Sequence, residues 1–159
     1  MVKYHDKIKE IKEIGLNAYN LSLKTLEYSC DIYLEHSNYL RKKDPFHVFL
    51  MKQNLHWIIE HRNNLYILKK RLLPYTNDVD SAVQKEAIEH LNLVNTCIDT
   101  CWDSILRVKN TFGEEFKEEN ITPLFRQVEN KSFSKDKIKS IALIVFIIFM
   151  IIGFFCFFF

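Results

Sequence analysis

Residues 87–112 read AIEHLNLVNTCIDTCWDSILRVKNTF. Ala87, Leu91, Val94, Ile98, Cys101, Ile105, Val108 and Phe112 recur at steps of four and three without a miss. An α-helix turns once in about 3.6 residues, so all eight side chains share one face, and that spacing is the coiled-coil-like seam of a helical bundle. Asn77 or Asp78 supplies a capping side chain ahead of this helix. Gly113 supplies the residue type that most often closes one.

Working outward, residues 4–42 carry a second helical pattern. Ile11, Ile14, Ala18, Leu21, Thr25, Tyr28 and Ile32 share one face. Tyr19, Leu26, Tyr33 and Leu40 form another stripe at steps of seven, which implies that this helix touches more than one neighbour. Gly15 weakens such a helix by roughly 1 kcal/mol relative to alanine, so its presence points to a close helix crossing. Arg41-Lys42-Lys43 suits the negative end of a helix dipole. Asp44-Pro45 then combines a cap with a proline at the first helical position. The helix it opens extends to about Leu73, with Met51, Leu55, Ile58, Leu65 and Leu72 on one face and Arg62 and Lys69 in the same register. Pro74 stops it.

Glu114 to Asn120 is acidic and reads as a loop or frayed turn, after which Thr122-Pro123 repeats the cap-and-proline signal for a short helix to about Asn130. The expected fold is all-α. It is an antiparallel three-helix bundle in up-down-up order, or a four-helix bundle if the short helix joins, followed by one C-terminal transmembrane helix.

That last helix is read from residues 141–159, IALIVFIIFMIIGFFCFFF, in which 15 of 19 residues are Ile, Leu, Val or Phe. Its helical length of about 28 Å is close to the ~30 Å hydrocarbon core of a bilayer. Those 15 residues favour insertion by about 5 to 9 kcal/mol. A buried soluble helix is the competing reading, and it is opposed by hydrophobicity on every side of the helix. The start, MVKYHDKIKE, has no apolar core of a signal peptide. Lys131, Lys135, Lys137 and Lys139 crowd the near side of the stretch, so the positive-inside rule keeps the N-terminal part in the cytoplasm. The same four lysines are the candidate contacts to anionic headgroups at the membrane surface. The expected divisions are a cytoplasmic bundle over 1–130, a basic juxtamembrane linker over 131–140 and an anchor over 141–159.

Composition narrows the function classes. Twenty-two Lys and Arg against 20 Asp and Glu give a net charge of +2, too small to imply nucleic-acid binding. Cys30, Cys97, Cys101 and Cys156 contain no C-x2-C pair, which leaves zinc knuckles and thioredoxin-like sites without support and reads as free thiols. His56 and His61 flank Trp57-Ile58-Ile59-Glu60, but residues five apart on a helix point about 140° apart, unlike the i, i+4 pairs of zinc helices. Glu86 and His90 have i, i+4 spacing and read as a helix-surface contact. Arg62 and Glu35 fall in seam registers. A hairpin turning near Lys43 places Arg62 near Thr25 and Glu35 near Lys52, with both charges reaching water at the bundle edge.

Arg41 and His47 are six apart. This spacing resembles the R-x4-6-H signature of HEPN-type helical ribonucleases, in which the pair acts on phosphate and ribose hydroxyl. Here the spacing crosses the Asp44-Pro45 helix break, and a basic helix end followed by a capped turn accounts for the same residues.

These readings favour a tail-anchored membrane protein whose helical bundle is a non-enzymatic interaction or regulatory module, with the apolar and aromatic stripes of the first helix as partner surface. No catalytic, cofactor or metal site is read. The partners implied are the lipid bilayer and another protein at the membrane, with self-association as an option. The alternatives are a membrane-active effector or toxin acting through the Phe-rich tail, and the ribonuclease.

Overall fold

The computed structural model describes residues 2–123 and 125, with side chains from Tyr4 onward. Of the expected anchor, the basic linker with Lys131, Lys135, Lys137 and Lys139, and the expected fourth helix, only Pro123 and Phe125 lie within the described residues. The chain divides into the units Met1–Thr122 and Pro123–Phe159. Among the described residues there is no strand, and no helix is long and apolar enough to cross a membrane.

Three long helices dominate: α1, Val2–Lys42; α2, Pro45–Leu72; and α3, Ser81–Phe112. Each packs against the other two. Contacts between α1 and α2 run in opposite sequence directions, from Glu35–His47 through Thr25–His61 to Glu10–Arg71. Contacts between α1 and α3 rise together, from Lys12–Glu86 through Thr25–Cys101 to Tyr33–Phe112. The topology is therefore up-down-up.

The seams are largely those expected. On α2, Met51, Leu55, Ile58, Leu65 and Leu72 are all buried. On α3, six of the eight seam residues are buried, and Leu91 and Phe112, towards the two ends, are half-covered. On α1, Ile11, Ile14, Ala18, Thr25 and Ile32 are buried, whereas Leu21 and Tyr28 are half-covered. The second α1 stripe departs from expectation. Tyr19, Leu26, Tyr33 and Leu40 are 51, 49, 42 and 53 % exposed, because α2 and α3 cover one side of α1 and no described helix covers the other.

α2 ends at Leu72, just before Pro74, as expected, and Pro74 sits in the 3-10 turn Leu73–Asn77 that follows. The connections need two corrections. The first concerns the cap of α3, which is Asp80 rather than Asn77 or Asp78. The Asp80 carboxylate accepts from the amides of Ala82 and Val83. Asp78 instead receives Lys7 Nζ at 2.6 Å and the Asp80 amide at 3.1 Å, so its oxygens are already engaged.

The second concerns residues 114–120, which are neither loop nor frayed turn. A 3-10 turn, Glu114–Phe116, is followed by helical residues 118–123, so Thr122-Pro123 lies inside a helical segment instead of starting one. Phe116 and Ile121 are buried, which supplies the apolar anchorage that the acidic composition conceals. The Asp44 cap of α2 and the Gly113 end of α3, at φ 91°, are as expected.

Gly15 marks the crossing of α1 and α3. A Cβ added there would overlap the imidazole of His90, which also contacts Glu86 at 3.3 Å. Helix propensity alone makes Gly15→Ala stabilising by about 1 kcal/mol, whereas overpacking costs 1–3 kcal/mol. We expect overpacking to win, so that Gly15→Ala lowers the thermal midpoint while Gly15→Ala in a His90→Ala background raises it. A calorimetric comparison of the four proteins checks this. A midpoint raised by Gly15→Ala alone would mean that His90 swings aside freely.

Candidate functional site

Two regions of the bundle carry chemistry worth weighing: a polar cluster inside it and an apolar face outside it. The interior cluster is built where α1, α2 and α3 meet. Thr25, fully buried, donates its hydroxyl proton to the Leu21 carbonyl at 2.9 Å. With that proton placed, Oγ1 must be the acceptor in its two remaining contacts. His61 Nδ1–H therefore donates to Thr25 Oγ1 at 3.3 Å, and the Cys101 thiol donates at 3.4 Å. Burial, and secondarily Lys24, holds the His61 pKa below its usual value. Burial pushes the Cys101 and Cys97 thiols up, away from the thiolate form. A neutral imidazole and two protonated thiols are the inert members of their kinds, so the cluster ties three helices together and has no activated nucleophile.

Arg62 lies one residue further along α2, about 100° around the helix axis. It is 6 % exposed, so the expectation that it reaches water at the bundle edge is wrong. Its Nη1 and Nη2 donate to the two carboxylate oxygens of Glu118 at 2.7 and 2.6 Å. The guanidinium also lies 4.2 Å over the Trp102 ring, and Trp102 Nε1 donates to Tyr66 Oη at 3.2 Å. Glu118 lies 56 residues away in an acidic stretch, and no local pattern announces the pairing. Glu35, expected near Lys52, instead meets His47 Nδ1 at 2.5 Å, and Lys52 pairs with Glu115 at 3.0 Å.

The remaining candidate residues each have local partners. Arg41 donates to the Asn38 side-chain oxygen at 2.7 Å, whereas His47 is nearly buried against Glu35. Glu86 and His90 form the expected i, i+4 contact. Among the described residues, no three His, Cys, Asp or Glu side chains gather as a metal-binding group. Cys30 is exposed and Cys97 and Cys101 are buried, all as free thiols.

The outer face of α1 is the more extensive feature. Leu16, Tyr19, Leu23, Leu26, Cys30, Tyr33, Ser37 and Leu40 follow one another at steps of three and four, and all are exposed. Leu34, also exposed, stands beside them. The sequence reading found the members at steps of seven and missed Leu16, Leu23 and Cys30, which lie between them in the same heptad. Contiguous apolar patches of this extent on a soluble face mark interaction sites. Beside it runs a groove of about 420 Å³ between α1 and α3, lined by Leu26, Ser29, Tyr33, Ser104 and Arg107 among others.

Two outcomes follow for the interior. Glu118→Gln leaves a buried guanidinium without its counter-charge, whereas Arg62→Met leaves a partly exposed carboxylate that can turn to water. Glu118→Gln should therefore lower the urea midpoint more than Arg62→Met does, and the double variant should recover part of that loss.

The pH dependence has two windows. The pKa of His61 is depressed in the folded state, so its contribution to stability is complete above about pH 6.5 and declines as pH falls below that. Glu118, held low mainly by its hydrogen bonds to Arg62, contributes fully above about pH 4.3 and loses that contribution as pH falls through its lowered pKa. Denaturant midpoints measured from pH 8 to pH 3 should show both declines, with His61→Gln flattening the upper and Glu118→Gln reducing the lower.

No protein family matches the chain, and no curated protein or solved structure matches it significantly.

Proposed function

We propose that this chain is a membrane-held interaction module. Residues 141–159 span the bilayer, Lys131, Lys135, Lys137 and Lys139 contact anionic headgroups, and the bundle stands on the cytoplasmic side and presents α1 to a protein partner. Its role is non-enzymatic, as a scaffold or regulatory subunit. The observation that carries this reading is the outer face of α1, whose large apolar side chains stay 42 to 60 % exposed along several helical turns. A face of that kind is costly to leave in water and is what partner helices cover. The tether adds effective concentration: a bundle confined near a bilayer meets other membrane components far more often than one free in solution.

The charge bias around residues 131–140 supports the orientation, and the uninterrupted apolar run of 141–159 supports the span. Deleting residues 141–159 should release a soluble, folded, mainly helical protein that no longer floats with vesicles. Protease added outside intact cells should leave the bundle of the full chain uncut. A truncated protein that is insoluble or unfolded would place the tail in the core. A bundle digested from outside would reverse the orientation.

A further inference from the structure

From the exposed heptads of α1 we infer that the partner of this face is a second copy of the same chain, with the two α1 helices packed in parallel and in register. The inference rests on the proposed interaction role of α1 and names its partner. In heptad terms Leu16, Leu23, Cys30 and Ser37 occupy a positions, and Tyr19, Leu26, Tyr33 and Leu40 occupy d positions. The core-facing residues Ala18, Thr25 and Ile32 share a different position, c, so the same helix carries one seam inwards and another outwards. From Leu16 to Leu40 the outer seam is about 36 Å long. Leu16, Tyr19, Leu23, Leu26, Tyr33 and Leu40, with Leu34, at about half exposure present roughly 700 Å² per copy, near the ~800 Å² per partner of a stable interface.

Charge and shape choose the direction. An antiparallel pair that overlaps along the whole seam sets Leu16 against Leu40 of the second copy and brings Glu27 against its own symmetry mate at the two-fold axis. That is a like-charge contact next to apolar layers. In the parallel pair Glu27 lies beside Ser22 of the other copy, and each layer joins identical residues, Leu to Leu and Tyr to Tyr. The parallel arrangement also accounts for Leu34, which is 58 % exposed and outside the a and d positions. It falls at an e position, beside g-position Ser29 of the second copy, and Ser29 lines the groove between α1 and α3. Each copy's Leu34 therefore enters the other's groove, between Leu26, Tyr33 and Arg107.

Cys30 makes the register testable, since a parallel pair sets it against Cys30 of the second copy. The full chain carrying Cys156→Ser is reconstituted in vesicles of phosphatidylcholine and phosphatidylglycerol and treated with copper-phenanthroline. Its mass is measured separately in mild detergent. We expect a two-chain mass and a disulfide-linked dimer that Cys30→Ser abolishes. Leu26→Glu and Leu34→Glu, both at exposed positions, should each weaken dimerisation at least about tenfold, while circular dichroism and thermal midpoint stay near the parent values. If Leu26→Glu alters the fold, Leu34→Glu decides.

A chain that floats with the vesicles but stays monomeric and uncross-linked overturns the self-pairing and leaves the membrane reading standing. A dimer by mass without a Cys30 cross-link overturns the parallel register. A cross-linked dimer that does not float supports the self-pairing and overturns the tether.

Discussion

A buried guanidinium has to be answered, and the answer organises one side of this molecule. Arg62 projects from α2 into a site that water hardly reaches, where an unpaired cation would be strongly destabilising. Glu118 meets it with two short parallel hydrogen bonds, and Trp102 presents the face of its ring. To deliver that carboxylate, the chain turns sharply after Gly113, buries Phe116 against Phe112 and resumes as a helix. The acidic stretch after α3 is thus held to α2 by two charge pairs, Arg62–Glu118 and Lys52–Glu115, and by two apolar anchors, Phe116 and Ile121. The raised pKa of Arg62 and the lowered pKa of Glu118 express the same mutual stabilisation seen from its two members.

Much of the bundle was legible because its signals are local and periodic. All five seam residues chosen on α2 are buried, and the Asp44 cap and Gly113 end lie where the residue types put them. Errors arose where the deciding partner is distant. Asp78 and Asp80 are equivalent as caps by composition, and only the ion pair with Lys7 removes Asp78 from that role. Likewise, Glu114 to Asn120 looked like a solvated loop because nothing nearby showed that Arg62, 56 residues before Glu118, needed a carboxylate. At Thr25 the anticipated hairpin register was off by a single residue, since Thr25 meets His61 rather than Arg62. One residue of rotation on a helix is about 100°, which separates a side chain inside the bundle from one facing its other side.

The candidate site was half legible for a related reason. A stripe at steps of seven is visible in sequence, but whether it faces a neighbour or water depends on how many helices the fold supplies. Tyr19, Leu26, Tyr33 and Leu40 look like core residues, and with a fourth long helix beside α1 they would be. The buried thiols show the converse. Cys97 and Cys101, read from sequence only as free thiols, are both buried and serve as packing residues, with Cys101 beside Thr25.

The connection between α1 and α2 is only Lys43-Asp44, with Lys43 in the left-handed region at φ 57°. A link that short lets the two helices close as a hairpin as soon as both exist, because little chain entropy opposes it. The third helix arrives later: Thr25 and Cys101 are 76 residues apart, about 4 to 15 seconds of synthesis at ordinary ribosomal speeds. During that interval α1 has an apolar flank waiting for α3 and an apolar outer stripe as well. Nascent chains on one message therefore carry sticky hairpins close together. Completion of α3 turns a hairpin with two open apolar flanks into a bundle with its inner flank closed.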